Sequence, residues 1–169
     1  MHTVQKKVCL LGDFAVGKTS LIRRFVEDRF DDKYLSTIGV KISRKTLTRQ
    51  DHLLNLLIWD LAGGDDFSKT SASYLRGAAG ALLVCDLTRA DTLATLTDYA
   101  QQLKAMDETA VLVLVANKAD LVAERQISEA ALAEMAETFT APYLLTSALT
   151  GSHVEAAFHH LANAIEKPL

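Results

Sequence analysis

Gly12-Asp13-Phe14-Ala15-Val16-Gly17-Lys18-Thr19 fits the spacing GxxxxGK[ST], and its flanks give that fit weight. The apolar run Val8-Cys9-Leu10-Leu11 predicts a buried strand before it. Ser20-Leu21-Ile22-Arg23-Arg24-Phe25-Val26 predicts an amphipathic helix after it. Glycines let a backbone wrap closely around phosphate oxygens, so that successive N–H groups point inward at the anion. The start of the helix adds the positive end of its dipole. Phe14, Ala15, Val16, Gly17, Lys18, Thr19 and Ser20 are therefore expected to line a phosphate site. Lys18 would reach the β- and γ-phosphates, and the Thr19 hydroxyl would bind Mg²⁺.

Working outward, strand and helix periods alternate along the chain. Lys41 to Leu47 predicts a half-exposed strand and Leu53 to Leu61 its more buried neighbour, with Thr48-Arg49-Gln50-Asp51-His52 as the hairpin turn. Ala81 to Cys85, Val111 to Val115 and Tyr143 to Leu145 are short continuous apolar runs, as parallel strands covered on both faces require. Helical patterns lie between them at about Thr92 to Met106, Ser128 to Phe139 and Val154 to Ile165. The reading is one α/β domain over residues 1–169, with a six-stranded, mostly parallel sheet and helices on both faces. Ligands of such sheets bind at the carboxyl ends of the strands, and that is where further motifs should fall.

The composition narrows the function classes. A chain of 169 residues with net charge −3 gives no reason to expect nucleic-acid binding. Cys9 and Cys85 sit inside apolar runs without CxxC spacing, so buried thiols in a reducing compartment are expected. The longest apolar stretch, Gly77 to Cys85, falls far short of the roughly 20 residues that span a bilayer. Residues 166–169 carry neither a CaaX nor a double-cysteine signal. A cytoplasmic monomer without a membrane anchor is the expectation. His159 and His160 are adjacent on the last helix and face different ways, which favours a surface helix over a metal site.

Two motifs fall where the sheet predicts them. Trp59-Asp60-Leu61-Ala62-Gly63 closes the third strand as DxxG; Asp60 can hold Mg²⁺ through its water shell, and the Gly63 N–H can meet the γ-phosphate. Asn117-Lys118-Ala119-Asp120 follows the fifth strand. The Asp120 carboxylate can accept from the N1–H and amino group of guanine, a donor pair that adenine lacks. Ser147-Ala148 follows the last strand and can offer a backbone N–H to the guanine oxygen.

Phosphate loop, DxxG, NKxD and Ser-Ala, in this order over essentially the whole chain, resemble a Ras-superfamily small GTPase with the phosphate-loop NTPase fold. Ser36-Thr37-Ile38-Gly39-Val40, Ile58-Trp59-Asp60, Tyr74-Leu75-Arg76-Gly77-Ala78 and Cys85-Asp86-Leu87-Thr88 are most similar to the Rab branch. The resemblance implies GTP and GDP as ligands, with effector, exchange-factor and activating proteins meeting two switch segments. It implies that Thr37 binds Mg²⁺ when the γ-phosphate is present, that Tyr34 covers the phosphates, and that the Lys118 stem lies over the base. It also places Phe30 against the guanine edge; without the resemblance this aromatic would be read as a core anchor of the first helix, and that reading is kept as the alternative.

The departures bear on turnover. Gly64 stands where most relatives carry the glutamine that orients the attacking water, and Phe14 fills a usually small or polar loop position. Lys18, Thr37, Gly63 and Gly64 are thus the positions on which catalysis turns, with slow hydrolysis expected. Leu61 replaces a threonine, Leu149 replaces the lysine that usually follows Ser-Ala beside the base, and Lys41-Ile42 replaces an acidic residue and a phenylalanine. Of the hydrophobic triad that Rab effectors commonly read, Trp59 and Tyr74 match and Ile42 does not. Asp31-Asp32 and Asp65-Asp66 fit solvated loops, with Asp65 or Asp66 able in principle to position a water. Two alternatives stay open on the sequence: a nucleotide-binding scaffold with negligible hydrolysis, and a Roc-like GTPase domain of a longer protein.

Overall fold

The computed structural model describes residues 1–30, 40–63 and 73–167. Six strands, β1 (His2–Leu11), β2 (Val40–Thr48), β3 (His52–Leu61), β4 (Ala78–Asp86), β5 (Val111–Asn117) and β6 (Tyr143–Leu145), form one sheet in the order β2-β3-β1-β4-β5-β6. Among the described residues, β2–β3 is the one antiparallel pair. The helices are α1 (Lys18–Glu27), α2 (Asp91–Ala94), α3 (Leu96–Met106), α4 (Glu129–Phe139) and α5 (Val154–Ile165). This is the six-stranded α/β arrangement expected from the sequence.

Two apolar layers explain why β4 and β5 read as unbroken hydrophobic runs. On one face Leu83, Cys85, Leu112 and Leu114 pack with Leu96, Leu103 and Leu132 from α3 and α4. On the other, Val84, Val113 and Val115 pack with Leu21 and Phe25 of α1 and with Phe158 and Leu161 of α5. The Phe25 and Phe158 rings stack with centroids 4.2 Å apart, joining α1 to α5. Cys9 and Cys85 are fully buried, and burial pushes both thiols up to about 12, so they behave as small apolar residues. His159 lies edge-on to Phe25 and 3.5 Å from Glu155, whereas His160 is exposed.

Two boundaries differ from the sequence reading. β1 begins at His2 rather than Val8, because His2 to Lys7 continue the main-chain ladder with His52 to Leu57. A ladder is made by the backbone, so the polar side chains gave no apolar pattern to follow. The single helix expected from Thr92 to Met106 is divided at Thr95, whose N–H bonds to both Asp91 O and Leu93 O. At α4, Ser128 caps the helix, its Oγ accepting from the Ala131 N–H at 3.1 Å.

Candidate nucleotide site

β1, β3, β4, β5 and β6 all deliver residues to the same edge of the sheet. The phosphate loop leaves β1 at Leu11 and enters α1 at Lys18. Gly17 adopts φ 104°, and a Cβ there would stand 2.3 Å from Asn117 Nδ2. Gly63 comes closer still: its Cβ would lie 2.1 Å from Gly12 O and 3.0 Å from Phe14 N. The loop is thus a cradle that side chains at these positions would fill.

Lys18 is 7% exposed, and its Nζ donates to Gly12 O at 2.8 Å and Asp13 O at 3.1 Å. Burial lowers its ammonium to about 8; Asp60 and Asp13 pull it back up, while Arg89 pushes it further down. A buried ammonium with so depressed a value is poised to gain from an anion. Beside it, Thr19 Oγ1 donates 2.5 Å to Asp60 Oδ2, and that carboxylate is 1% exposed. Hydroxyl and carboxylate oxygens side by side suit a hard cation such as Mg²⁺. The glycine cradle, the buried cation and the oxygen pair fit a nucleoside phosphate with its metal.

At the other end, Asn117 Nδ2 donates 3.0 Å to Val16 O, and Thr146 Oγ1 donates 3.1 Å to Asn117 Oδ1. Asn117 therefore ties the fifth strand to the phosphate loop. Lys118 takes φ 67° and its Nζ lies 2.8 Å from Asp86 Oδ2. Ser147 Oγ donates 2.8 Å to Asp120 Oδ1 and accepts from the Thr150 N–H, which orients the carboxylate expected to read guanine. Ala148 is buried and Leu149 is 50% exposed. Their carbonyls accept from Arg24 of α1, Nε to Ala148 O at 2.9 Å and Nη2 to Leu149 O at 2.6 Å.

Phe14 is 48% exposed at the loop's rim. Phe30 is half-buried and packs on the α1–α5 core layer, as a core anchor would. Ala15 lies at φ 63°, and Val16 is fully buried. Ser20 is half-buried in the first turn of α1. Tyr34, Thr37, Gly64, Asp31-Asp32 and Asp65-Asp66 lie outside the described residues. On the surface, Ile42 is 51% exposed and pairs in register with Trp59. The Trp59 and Tyr74 ring centroids are 6.0 Å apart, and Lys7 Nζ sits 3.7 Å over the Trp59 ring. Lys7 also donates to the carbonyls of Tyr74 and Arg76.

Sequence reasoning missed Arg24, Asp86, Arg89 and Thr146. Asp86 alone had a signal, since it ends β4 at the ligand-facing edge of the sheet.

A parallel α/β sheet with a phosphate loop between β1 and α1, and with polar loops converging on it, is the architecture of a small G domain. The Ras family profile matches residues 7–167, and the chain belongs to the Ras family as a Rab-like small GTPase. It is similar to "Ras-related protein Rab-22A" of Mus musculus, 37% identical over 160 residues that cover 94% of this chain and 82% of the relative. It is also similar to "Ras-related protein RABA4b" of Arabidopsis thaliana (37%; 94% and 71% covered). "Ras-related protein Rab-4A" of Danio rerio is 38% identical, with 94% and 75% covered. No described helix is long and apolar enough to cross a membrane.

Proposed function

We propose that this GTPase is a guanine-nucleotide switch that binds GTP and GDP with Mg²⁺, hydrolyses GTP slowly and presents its switch segments to protein partners. The observation that carries the reading is the convergence of Lys18, the Thr19–Asp60 pair and the Ser147-oriented Asp120 on one edge of the sheet. Lys18 and the loop amides bind the phosphates, Asp120 selects the base, and Thr19, Asp60 and Thr37 hold the metal. Mg²⁺ when bound neutralises charge between the β- and γ-phosphates. Phosphoryl transfer to water needs positioning and charge stabilisation rather than a nucleophilic side chain. Thr37 and Gly63 sense the γ-phosphate, and partners meet the exposed Ile42 and the Trp59–Tyr74 pair.

Calorimetry with Mg²⁺ tests the base specificity. The parent is expected to bind GTP and GDP and to discriminate against ATP by roughly 10⁴-fold. Asp120→Asn should weaken guanine nucleotides and favour xanthine nucleotides, because an amide donor then faces a carbonyl. Equal affinity for ATP and GTP would sink the assignment. The scaffold reading draws on Gly64 and the exposed Phe14, and would be supported by bound GTP that stays intact over hours in a single-turnover assay.

A further inference from the structure

Asp86 ends β4 with its side chain 1% exposed and gathers donors from three residues. Its Oδ2 lies 2.8 Å from Lys118 Nζ and accepts from Arg89 Nε at 3.1 Å. Its Oδ1 accepts from the Thr88 N–H at 2.8 Å and from Thr88 Oγ1 at 2.7 Å. The other arm of Arg89 leaves this knot: Nη2 donates 2.7 Å to the carbonyl of Phe14. One guanidinium therefore spans from the anchor of the base-covering lysine to the phosphate loop.

The neighbouring loop residue is held from the same side. Asp13 accepts from Thr95 Oγ1 at 2.7 Å and from Tyr99 OH at 3.2 Å. In a phosphate-binding nest the amides face the anion. Arg89 bonds a main-chain carbonyl of the loop, so its effect on the ligand runs through the loop.

We propose that Arg89 is a positioning residue for the bound nucleotide: anchored on Asp86, it couples Lys118 at the base to the Phe14 carbonyl at the phosphates. This rests on the nucleotide site argued above. The coupling makes escape concerted, because loosening either end requires breaking contacts that also hold the other. Arginine is needed for its geometry as well as its charge. A planar fork satisfies two acceptors in different directions at once, whereas a lysine ammonium at the end of one stem bonds Asp86 or Phe14 O.

The test is the release rate of fluorescently labelled GDP, chased with unlabelled GDP in Mg²⁺, for the parent, Arg89→Ala, Arg89→Lys, Lys118→Ala and the Arg89→Ala/Lys118→Ala double variant. Arg89→Ala should release GDP roughly ten- to a hundredfold faster, the range for losing charge-assisted hydrogen bonds. Arg89→Lys should behave like Arg89→Ala, and the double variant should be slower than the product of the single effects. Arg89 is 38% exposed at its side chain, and Arg89→Lys keeps charge and stem, so a folded variant is in hand even where Arg89→Ala is destabilised. Release from Arg89→Ala at the parent rate, full rescue by Arg89→Lys, or single effects that multiply would each overturn the proposal. Failure of the parent itself to bind GDP would instead overturn the site on which it rests.

Discussion

Arg24 and Ala148 are 124 residues apart in sequence and are joined by a 2.9 Å hydrogen bond from Nε to the main-chain carbonyl. A second bond from Nη2 reaches Leu149 O. The helix that begins at the phosphate loop thereby fixes the loop that follows β6, where a base contact is expected. Arg24→Ala is expected to speed GDP release roughly tenfold while leaving the Asp120-dependent preference for guanine intact. Unchanged release in a stopped-flow chase would show that the base loop holds its shape without α1.

Lys18 should make nucleotide binding proton-linked. Its value of about 8 in the unliganded chain means that near pH 8 about half the molecules carry a neutral amine. Phosphates favour the charged form, so binding at that pH takes up protons and affinity declines as pH rises further. Calorimetry of GDP binding in two buffers of different ionisation enthalpy, at about pH 8, should show net uptake. Equal apparent enthalpies in the two buffers would contradict it.

Turnover depends on what orients water at the γ-phosphate. Gly64 carries no side chain for that task, and Phe14 has a half-exposed ring at the loop's rim, which we expect to obstruct an incoming arginine finger. Such a finger is worth roughly 10³–10⁵ in rate. Single-turnover hydrolysis is expected to be slow in the parent and little improved by Gly64→Gln alone. Gly64→Gln with Phe14→Gly should exceed the product of the separate effects. A fast parent that neither change accelerates would point to another group positioning the water, with Asp65 the first to replace.

His52 predicts a pH-dependent stability at the opposite end of the sheet. Its Nδ1 lies 2.7 Å from Asp51 Oδ1 and its Nε2 lies 2.6 Å from Glu166 Oε2; the His2 ring stacks on it, and Arg49 bonds the other Glu166 oxygen. Hydrogen bonds to Asp51 and Glu166 raise the imidazole above its ordinary 6.5. A raised value means that the stabilisation is complete below about 6.5 and is lost as pH climbs through the raised value. Burial pushes the Glu166 carboxyl up, but His52 and Arg49 outweigh it and hold it low, so that partner stays ionised across the window. The melting temperature should fall as pH rises above about 6.5. His52→Gln should flatten that slope, and an identical slope in the variant would rule the contact out as its source.

The site was legible in the sequence where one short motif does a complete local job. Lys18, Thr19, Asp60, Asn117 and Asp120 each sit at a fixed offset from an apolar strand; the structure bonds Thr19 to Asp60 and ties Lys18 and Asn117 to phosphate-loop carbonyls, while Asp120 accepts from Ser147. Arg24 and Arg89 left no such trace. They act by donating to backbone carbonyls 124 and 75 residues away, and a carbonyl has no sequence signature. The polar start of β1 was hidden for the same reason. Phe30 was ambiguous because an aromatic ring suits either a ligand or a core, and it packs on the core.

Glu166 joins Arg49 and His52 just beyond the last turn of α5, so the end of that helix and the β2–β3 turn share one attachment point. Tension applied to residues beyond it is borne by the hairpin as well as by the helix. From His52 at that attachment, β3 runs ten residues, roughly 33 Å, and carries Asp60 near its far end. The attachment at Glu166 and the carboxylate beside Thr19 thus stand at the two ends of one strand.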